Sequence, residues 1–394
     1  MPILIVTAGI ILLIILITVF KIDAFISFII VGLIVGLLLG MSVKELSNSI
    51  QSGIGSTLGF LAIILVFGAM LGKMVAVSGA ARRISLGMMS VFGEEKIRLA
   101  LMISGFIVGI PMFFSVGFII LVPLIFTIAA TARIPLVYAA VPMIASLSVT
   151  HGLLPPHPAP VALVGLFEAN MGKTLIYGII IGIPVVLIAG LLFSTTLKKY
   201  KSTPLKIFYD PELEQSNNMP GLTMSLLISL FPVILLGLAS VLQNFLVEGT
   251  LFYEVISLIG DPIVVMLLAV AAAVYFLGVR RGLKIPEIMS HLGNSVKDIA
   301  LIMLIIGGAG ALNQIMYDSG VSNYIAENLQ ELQMSALVLG WLIAALIRIA
   351  IGSATVAAMT SAGIIAPFAL QQGIDPNMLV LSIGAGSLIL GHVN

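Results

Sequence analysis

The chain alternates long apolar runs with short polar or proline-glycine breaks, and the run lengths predict its elements. A helix needs about 20 apolar residues to cross a bilayer. Runs of that order fall at 3–20, 24–41, 58–76, 97–126, 134–150 and 174–196, then at 222–246, 262–279, 298–317, 335–351 and 378–390. The first has no basic segment before it and no small-residue cleavage site after it, so it reads as a retained span and not a removed signal. Two polar breaks stand out. Gly109-Ile-Pro111 interrupts the run 97–126, and Ser148-Val-Thr-His-Gly-Leu-Leu-Pro-Pro-His-Pro-Ala-Pro160 follows the run 134–150. Pro155, Pro156, Pro158 and Pro160 remove backbone donors, so the chain is expected to unwind across the whole second segment at membrane depth. Unwound backbone is stable there only when buried in protein or lining a wet cavity, which makes the segment a candidate binding site.

Composition strengthens the membrane reading. Of 394 residues, 60% are hydrophobic and 9% charged, against about 25% charged in a soluble domain. A net charge of +1 predicts no nucleic-acid partner. The chain has no cysteine, which excludes disulfides, thiolate metal sites and thiol redox chemistry.

Polar residues at 198–218 resemble a soluble linker and divide the chain into halves at 1–196 and 222–394, with 197–221 between them. The halves share signals at one spacing. Ser78-Gly79 recurs as Ser319-Gly320, 241 residues on (319 − 78); Ile110-Pro111 aligns with Ile351-Gly352, and Thr150-His151 with Gly391-His392, at the same offset. The stretch 45–54 aligns with 287–296 at 242. The loop after Ser78-Gly79 carries Arg82, Arg83, Lys96 and Arg98, whereas its mate carries Glu327 and Glu331 and no base. By the positive-inside rule, equivalent loops then face opposite sides. Lys198, Lys199, Lys201 and Lys206, with Arg280, Arg281 and Lys284, read as cytoplasmic; Glu248, Glu254 and Asp261 read as external, which puts the N-terminus outside. The expected fold is an all-α polytopic membrane protein of two inverted-topology repeats, with broken helices or re-entrant hairpins meeting at the midplane, as in secondary transporters.

Several motifs carry a specific resemblance: Gly79-Ala-Ala-Arg-Arg-Ile84, Ser148-Val-Thr-His-Gly-Leu-Leu-Pro-Pro-His-Pro158, Met171-Gly-Lys-Thr-Leu-Ile-Tyr-Gly178, Arg348-Ile-Ala-Ile-Gly-Ser-Ala-Thr-Val-Ala-Ala358 and Gly391-His-Val-Asn394. Across its whole length the chain resembles the gluconate:proton symporter (gluconate permease) family of the ion-transporter superfamily. That resemblance implies a multi-pass inner (plasma) membrane carrier for gluconate-like sugar acids, with a proton as coupling ion, no cofactor, and a homodimer as its assembly. There are three departures. Ser115 stands where an acidic residue often precedes Val-Gly, which puts in doubt a coupling role at that position; Gly391 replaces a frequent serine; and the chain stops at Asn394, inside a motif that in the family continues into another hydrophobic segment, which is expected to reflect truncation.

Three of the four histidines, His151, His157 and His392, lie in the two equivalent interruptions. No Asp or Glu lies deep in a predicted span, so imidazole is the side chain with a suitable ordinary pKa to carry a proton. His151 and His157 are the candidates; the alternative is that they only brace unwound carbonyls. Arg348 sits deep in an apolar run, where an uncompensated guanidinium costs about 2.5–3.5 kcal/mol. It is expected to meet a substrate carboxylate or, alternatively, to hold the carbonyls of a helix end. Gly352-Ser-Ala-Thr355 and the segment from Gly109 and Pro111 to Ser115 suit re-entrant tips, whose free amides favour a carboxylate while Ser353 and Thr355 favour a polyol; small residues also pack helices. Thr150 and the following loop would hold the hydroxylated chain. Asn394 would bind a hydroxyl or cap backbone.

His291 reads as a surface residue, and Glu168 and Lys173 as interface charges. Gly307-Gly-Ala-Gly310 lies within an apolar span and lacks the context of a phosphate loop. Two other functions compete. One is a sodium-coupled carrier of the same fold for glycerate, D-serine or another small acid. The other is an intramembrane metalloenzyme using His151, His157 and His392, disfavoured because no acidic ligand or His-Glu-x-x-His helix accompanies them.

Overall fold

The computed structural model describes residues 2–200, 202, 219–322, 324–325 and 334–390, and among them there is no strand. The first half contains α1 (Pro2–Thr18), α2 (Ala24–Leu38), α3 (Val43–Val77), α4 (Ala80–Phe92), α5 (Ile97–Gly109), α6 (Phe114–Thr131), α7 (Leu136–Leu153), α8 (Pro158–Leu166) and α9 (Met171–Val186). The last continues through a π-helical turn, Leu187–Leu192, into the short α10 (Phe193–Thr196). After the linker come α11 (Leu222–Gln243), α12 (Leu251–Ile259), α13 (Pro262–Ala273), α14 (Ile285–Asp318), α15 (Ala336–Ile351), α16 (Ala354–Gln371) and α17 (Pro376–Gly386).

Six of the described helices are long and apolar enough to cross a membrane, or seven if α3 counts as one span. Others are too short. The 13 residues of α5 reach about 20 Å at 1.5 Å per residue, well under the ~30 Å hydrocarbon core. The expected run 97–126 is therefore two elements, cut where Pro111 can supply no N–H to continue α5.

Three expectations need correction. The runs at 58–76 and 298–317 are the apolar ends of much longer helices, α3 and α14, which begin at Val43 and Ile285. A capping box starts α3: Ser42 N donates to Glu45 Oε2 (2.7 Å) and Glu45 N to Ser42 Oγ (3.3 Å). The proline segment is mostly helical. α7 runs to Leu153 and α8 begins at Pro158, so only Leu154–His157 is unwound. Pro158 and Pro160 fall in the first turn of α8, where a missing N–H costs no helical bond and φ is already suitable. Finally, α16 is a helix absent from the apolar runs, because its small and hydroxylated residues keep its hydropathy low.

The element bounds recur along the chain. From α3 to α14 the starts differ by 242 (285 − 43) and the ends by 241 (318 − 77); from α6 to α16 both bounds differ by 240 (354 − 114, 371 − 131). The left-handed glycines Gly79 (φ 76°) and Gly320 (φ 74°) are 241 apart. Each follows its long helix at the same distance.

Contacts group the chain into two units, each drawn from both halves of the sequence: one comprises residues 1–63, 158–174 and 299–394, the other 64–157 and 175–298. In the first unit α1 packs on α2, while α8 and α15 both pack on α16 and α17. Thr174 Oγ1 (2.9 Å) and Asn170 N (3.0 Å) donate to Asn377 Oδ1, tying the start of α9 to α17. In the second unit α5 packs along α7, flanked by α4 and α6, and α11 packs on α13.

Glycine permits the closest approach in each unit. A Cβ at Gly105 on α5 would lie 2.6 Å from the Met143 carbonyl oxygen on α7. Gly105→Ala is therefore expected to destabilise the protein by about 1–3 kcal/mol, the usual cost of overpacking. Gly237→Ala, with nothing within 4 Å of its new methyl, should be neutral or stabilising. Thermal unfolding in detergent compares the two.

Candidate functional site

In the second unit, both helix breaks back onto α3. A Cβ at Gly72 would lie 2.6 Å from Pro111 O, and one at Gly68 would lie 3.7 Å from Pro156 O, so two glycines one turn apart let the breaks approach one helix face. The break between α5 and α6 leaves the last carbonyls of α5 without intrahelical partners. One of them is recovered from the other break: His157 Nε2 lies 2.7 Å from Gly109 O. His157 is only 2% exposed. Its ring centroid is 6.1 Å from that of Phe113 and 4.9 Å from that of His151.

The two histidines touch through Nδ1 atoms 3.2 Å apart. A carbonyl oxygen only accepts, so His157 Nε2 must carry hydrogen and donate to Gly109 O. In the neutral pair, the second hydrogen lies between the two Nδ1 atoms. With His157 as the Nε2–H tautomer, it is His151 Nδ1–H that donates to His157 Nδ1. His151 is half-buried whereas His157 is enclosed.

The first unit has a different character. Gly352 (φ 85°) ends α15 in the left-handed region, and Ser353 caps α16, its Oγ accepting weakly from Val356 N at 3.4 Å. Arg348 lies in the last turn of α15. Its Nε is buried and has no hydrogen-bond partner among the described residues. The same holds for Asn313 Nδ2 on α14 and Thr360 Oγ1 on α16. Asn313 packs directly on Gly363 of α16, whose Cβ would overlap its amide. Thr360, seven residues after Ser353, lies on the same helix face.

Beside these groups, α3, α8, α14 and α16 enclose a cavity of about 410 Å³ lined by Ser56, Thr57, Glu168, Gln314, Tyr317 and Met359 among others. The lining offers an amide, several hydroxyls and the carboxylate of Glu168. Among the described residues no three His, Cys, Asp or Glu side chains are arranged to hold a metal.

The chain matches the GntP family permease profile over residues 1–394. This protein belongs to the GntP permease family. It is 45% identical to the Gnt-II system L-idonate transporter of Escherichia coli K12 over 397 aligned residues, which cover 100% of this chain and 90% of the relative. It is also 45% identical to the high-affinity gluconate transporter of the same strain and 39% identical to the gluconate permease of Bacillus licheniformis, at the same coverage. In fold it is similar to the Alcanivorax borkumensis YdaH transporter (TM-score 0.63, 17% identity, 92% of this chain and 85% of that one). It is likewise similar to Neisseria gonorrhoeae MtrF (TM-score 0.61, 17% identity, 93% and 84%). The chain is a multi-pass inner-membrane permease and not an enzyme.

The permease brings together some of the residues expected from sequence. Gly109, Pro111, His151, His157, Pro155 and Pro156 meet at the paired breaks of the second unit. Thr150 needs correction as a substrate ligand: it is fully buried, and its hydroxyl is committed within α7 to Ser146 O and Leu147 O, both at 3.0 Å. Ser115 is exposed in the first turn of α6, which has no side-chain cap. In the first unit Arg348, Gly352, Ser353 and Thr355 lie at the start of α16, half-buried. His392 and Asn394 lie outside the described residues, as do Glu327, Glu331 and most of the linker. Sequence reading missed Asn313, Thr360, Gln314 and Tyr317. Their available signal was an amide pair, Asn313-Gln314, inside an otherwise apolar helix.

Replacing His157 by Phe strands the Gly109 carbonyl without a donor, an expected loss of about 1–3 kcal/mol. His151→Phe leaves that bond in place and should cost clearly less. Thermal unfolding of the two variants in detergent checks the ordering.

Proposed function

We propose that this permease imports gluconate or a closely related sugar acid together with a proton, by alternating access. Full-length relatives named for gluconate and L-idonate support the substrate class, since both are six-carbon polyhydroxy carboxylates. The observation that carries the reading within the molecule is the set of buried, unpartnered groups in the first unit. Buried polar groups are nearly always paired, and those that are not usually await a ligand or water. Arg348, with the amide end of α16 at Ser353 and Thr355, takes the carboxylate. Asn313 and Thr360 take hydroxyls along the chain. The alternative role for Arg348, holding the carbonyls of its own helix, leaves its buried Nε without a partner among the described residues.

The proton is carried by the histidine pair. It enters at His151, the less enclosed of the two rings, and the shared Nδ1 hydrogen lets the charge spread toward His157 without breaking the bond to Gly109. His157 braces and His151 titrates, so the two roles weighed for these residues belong to different rings. The recurring helix bounds support an internal repeat, and the opposite charges of equivalent loops support its inversion with the N-terminus outside. Thr355 projects about 140° away from Thr360 around α16 at 100° per residue, which favours Ser353 and Thr360 as the hydroxyl pair on the face toward Asn313.

Proteoliposomes holding the purified permease are expected to accumulate labelled gluconate under an inward acid gradient, and a protonophore should collapse that accumulation. His151→Gln should abolish gradient-driven accumulation while retaining gluconate exchange. Uptake that ignores the protonophore and requires sodium would overturn the proton reading.

Substrate contacts are tested separately by half-saturation. Arg348→Gln should raise it by about 10- to 150-fold, as for loss of a charged hydrogen bond of 1.5–3 kcal/mol. Thr360→Val and Asn313→Leu should each raise it by about 2- to 12-fold, the worth of a neutral bond. Unchanged half-saturation in all three would remove these residues from the site.

A further inference from the structure

A cavity of about 560 Å³ in the second unit lies away from both breaks, where several spans end together. α5 and α7 begin there, α6 finishes there, and the α9 span runs out there through its π-helical turn and α10. All four elements therefore contribute their ends at one level of the membrane. Among the described residues Lys96, Arg98 and Lys198 line the cavity, with Glu95 as the one acid. Three positive charges over one negative make this described lining electropositive.

Arg98 is fixed in place. Its guanidinium stacks on the Tyr138 ring, 4.4 Å from the centroid, and Nη1 donates to Leu191 O (2.9 Å) and Ser194 Oγ (3.0 Å). The π-helical turn displaces a carbonyl from regular helical bonding, and Arg98 meets it. Nη1 donates both of the hydrogen bonds that Arg98 makes to described residues, which leaves Nη2 and Nε for an anion. The wall is apolar as well. Leu191 and Leu192 line the cavity, and Leu187, Ile188, Leu192 and Phe193 continue along an exposed hydrocarbon strip on the same span.

A basic cup at the end of the spans, opening onto an exposed apolar strip, matches one ligand chemistry: an anionic head joined to acyl chains. A sugar acid or free phosphate would use the charges and leave the strip unused. We infer that the cavity at Lys96, Arg98 and Lys198 is a binding site for an anionic phospholipid, its phosphate held by the three basic side chains and its acyl chains lying along the α9 span. The inference does not depend on which acid is transported or on how transport is coupled. A basic side chain near an anionic lipid surface is worth about 1 kcal/mol, so two of them correspond to roughly 30-fold in affinity.

The test uses the full-length permease, delipidated in detergent. Thermal unfolding is followed while phosphatidylglycerol or phosphatidylcholine of identical chains is added, with inorganic phosphate and gluconate as anions lacking chains. Phosphatidylglycerol should raise the unfolding temperature well beyond phosphatidylcholine, and inorganic phosphate should not reproduce the shift. Lys96 and Lys198 are exposed, so the double variant Lys96→Ala/Lys198→Ala is expected to unfold normally without lipid yet require about 30-fold more phosphatidylglycerol. Equal shifts from the two lipids, an unchanged titration in the double variant, or an equal shift from phosphate would each overturn the site, whereas any shift from gluconate reports the transport site and should be the same in the double variant.

Discussion

A backbone carbonyl that leaves its helix inside a bilayer has no water to turn to, and the second unit of this permease is arranged around that constraint. The end of α5 strands Gly109 O, and the single N–H that answers it belongs to His157 from the neighbouring break. Everything chemical about the histidine pair descends from this bond. It fixes the hydrogen on His157 Nε2, makes His157 Nδ1 the acceptor and requires His151 to donate through its own Nδ1. A structural requirement thereby selects a tautomer.

The first unit carries buried polar atoms that no described residue answers on Arg348, Asn313 and Thr360, and the second unit carries others on Arg82 and Ser229. An unpaired group of this kind costs on the order of 1–3 kcal/mol, more for a charge. Under the proposed function, a carboxylate with a chain of hydroxyls answers those of the first unit. The glycine contact at Gly363, which brings α16 against Asn313, sets the spacing at which these groups are presented.

Much of this was legible along the chain, and the reasons for the exceptions are physical. The break at Gly109-Ile-Pro111 was readable because proline both lacks a donor and clashes with the preceding turn. The same rule, applied to Pro155 through Pro160, overstated the second break: proline forbids a helix behind it but suits the first turn of one ahead, so Pro158 starts α8 and only four residues unwind. Thr150 looked like a ligand by its neighbours, yet a threonine in a helix can return its hydroxyl to the carbonyls one turn back. α16 escaped notice because residues buried against protein need not be as apolar as residues facing lipid. Whether a buried amide is satisfied cannot be read from sequence at all, since it depends on what the rest of the fold places beside it.

Solid-state ¹⁵N NMR of the histidine rings, in lipid and across a pH titration, tests the central claim most directly. The account predicts that His157 Nε2 carries hydrogen at every pH, that a single hydrogen is shared by the two Nδ1 atoms, and that His151 Nε2 changes from bare to protonated as pH falls. A His157 Nε2 without hydrogen, or titration confined to His157 while His151 Nε2 never changes, would contradict it.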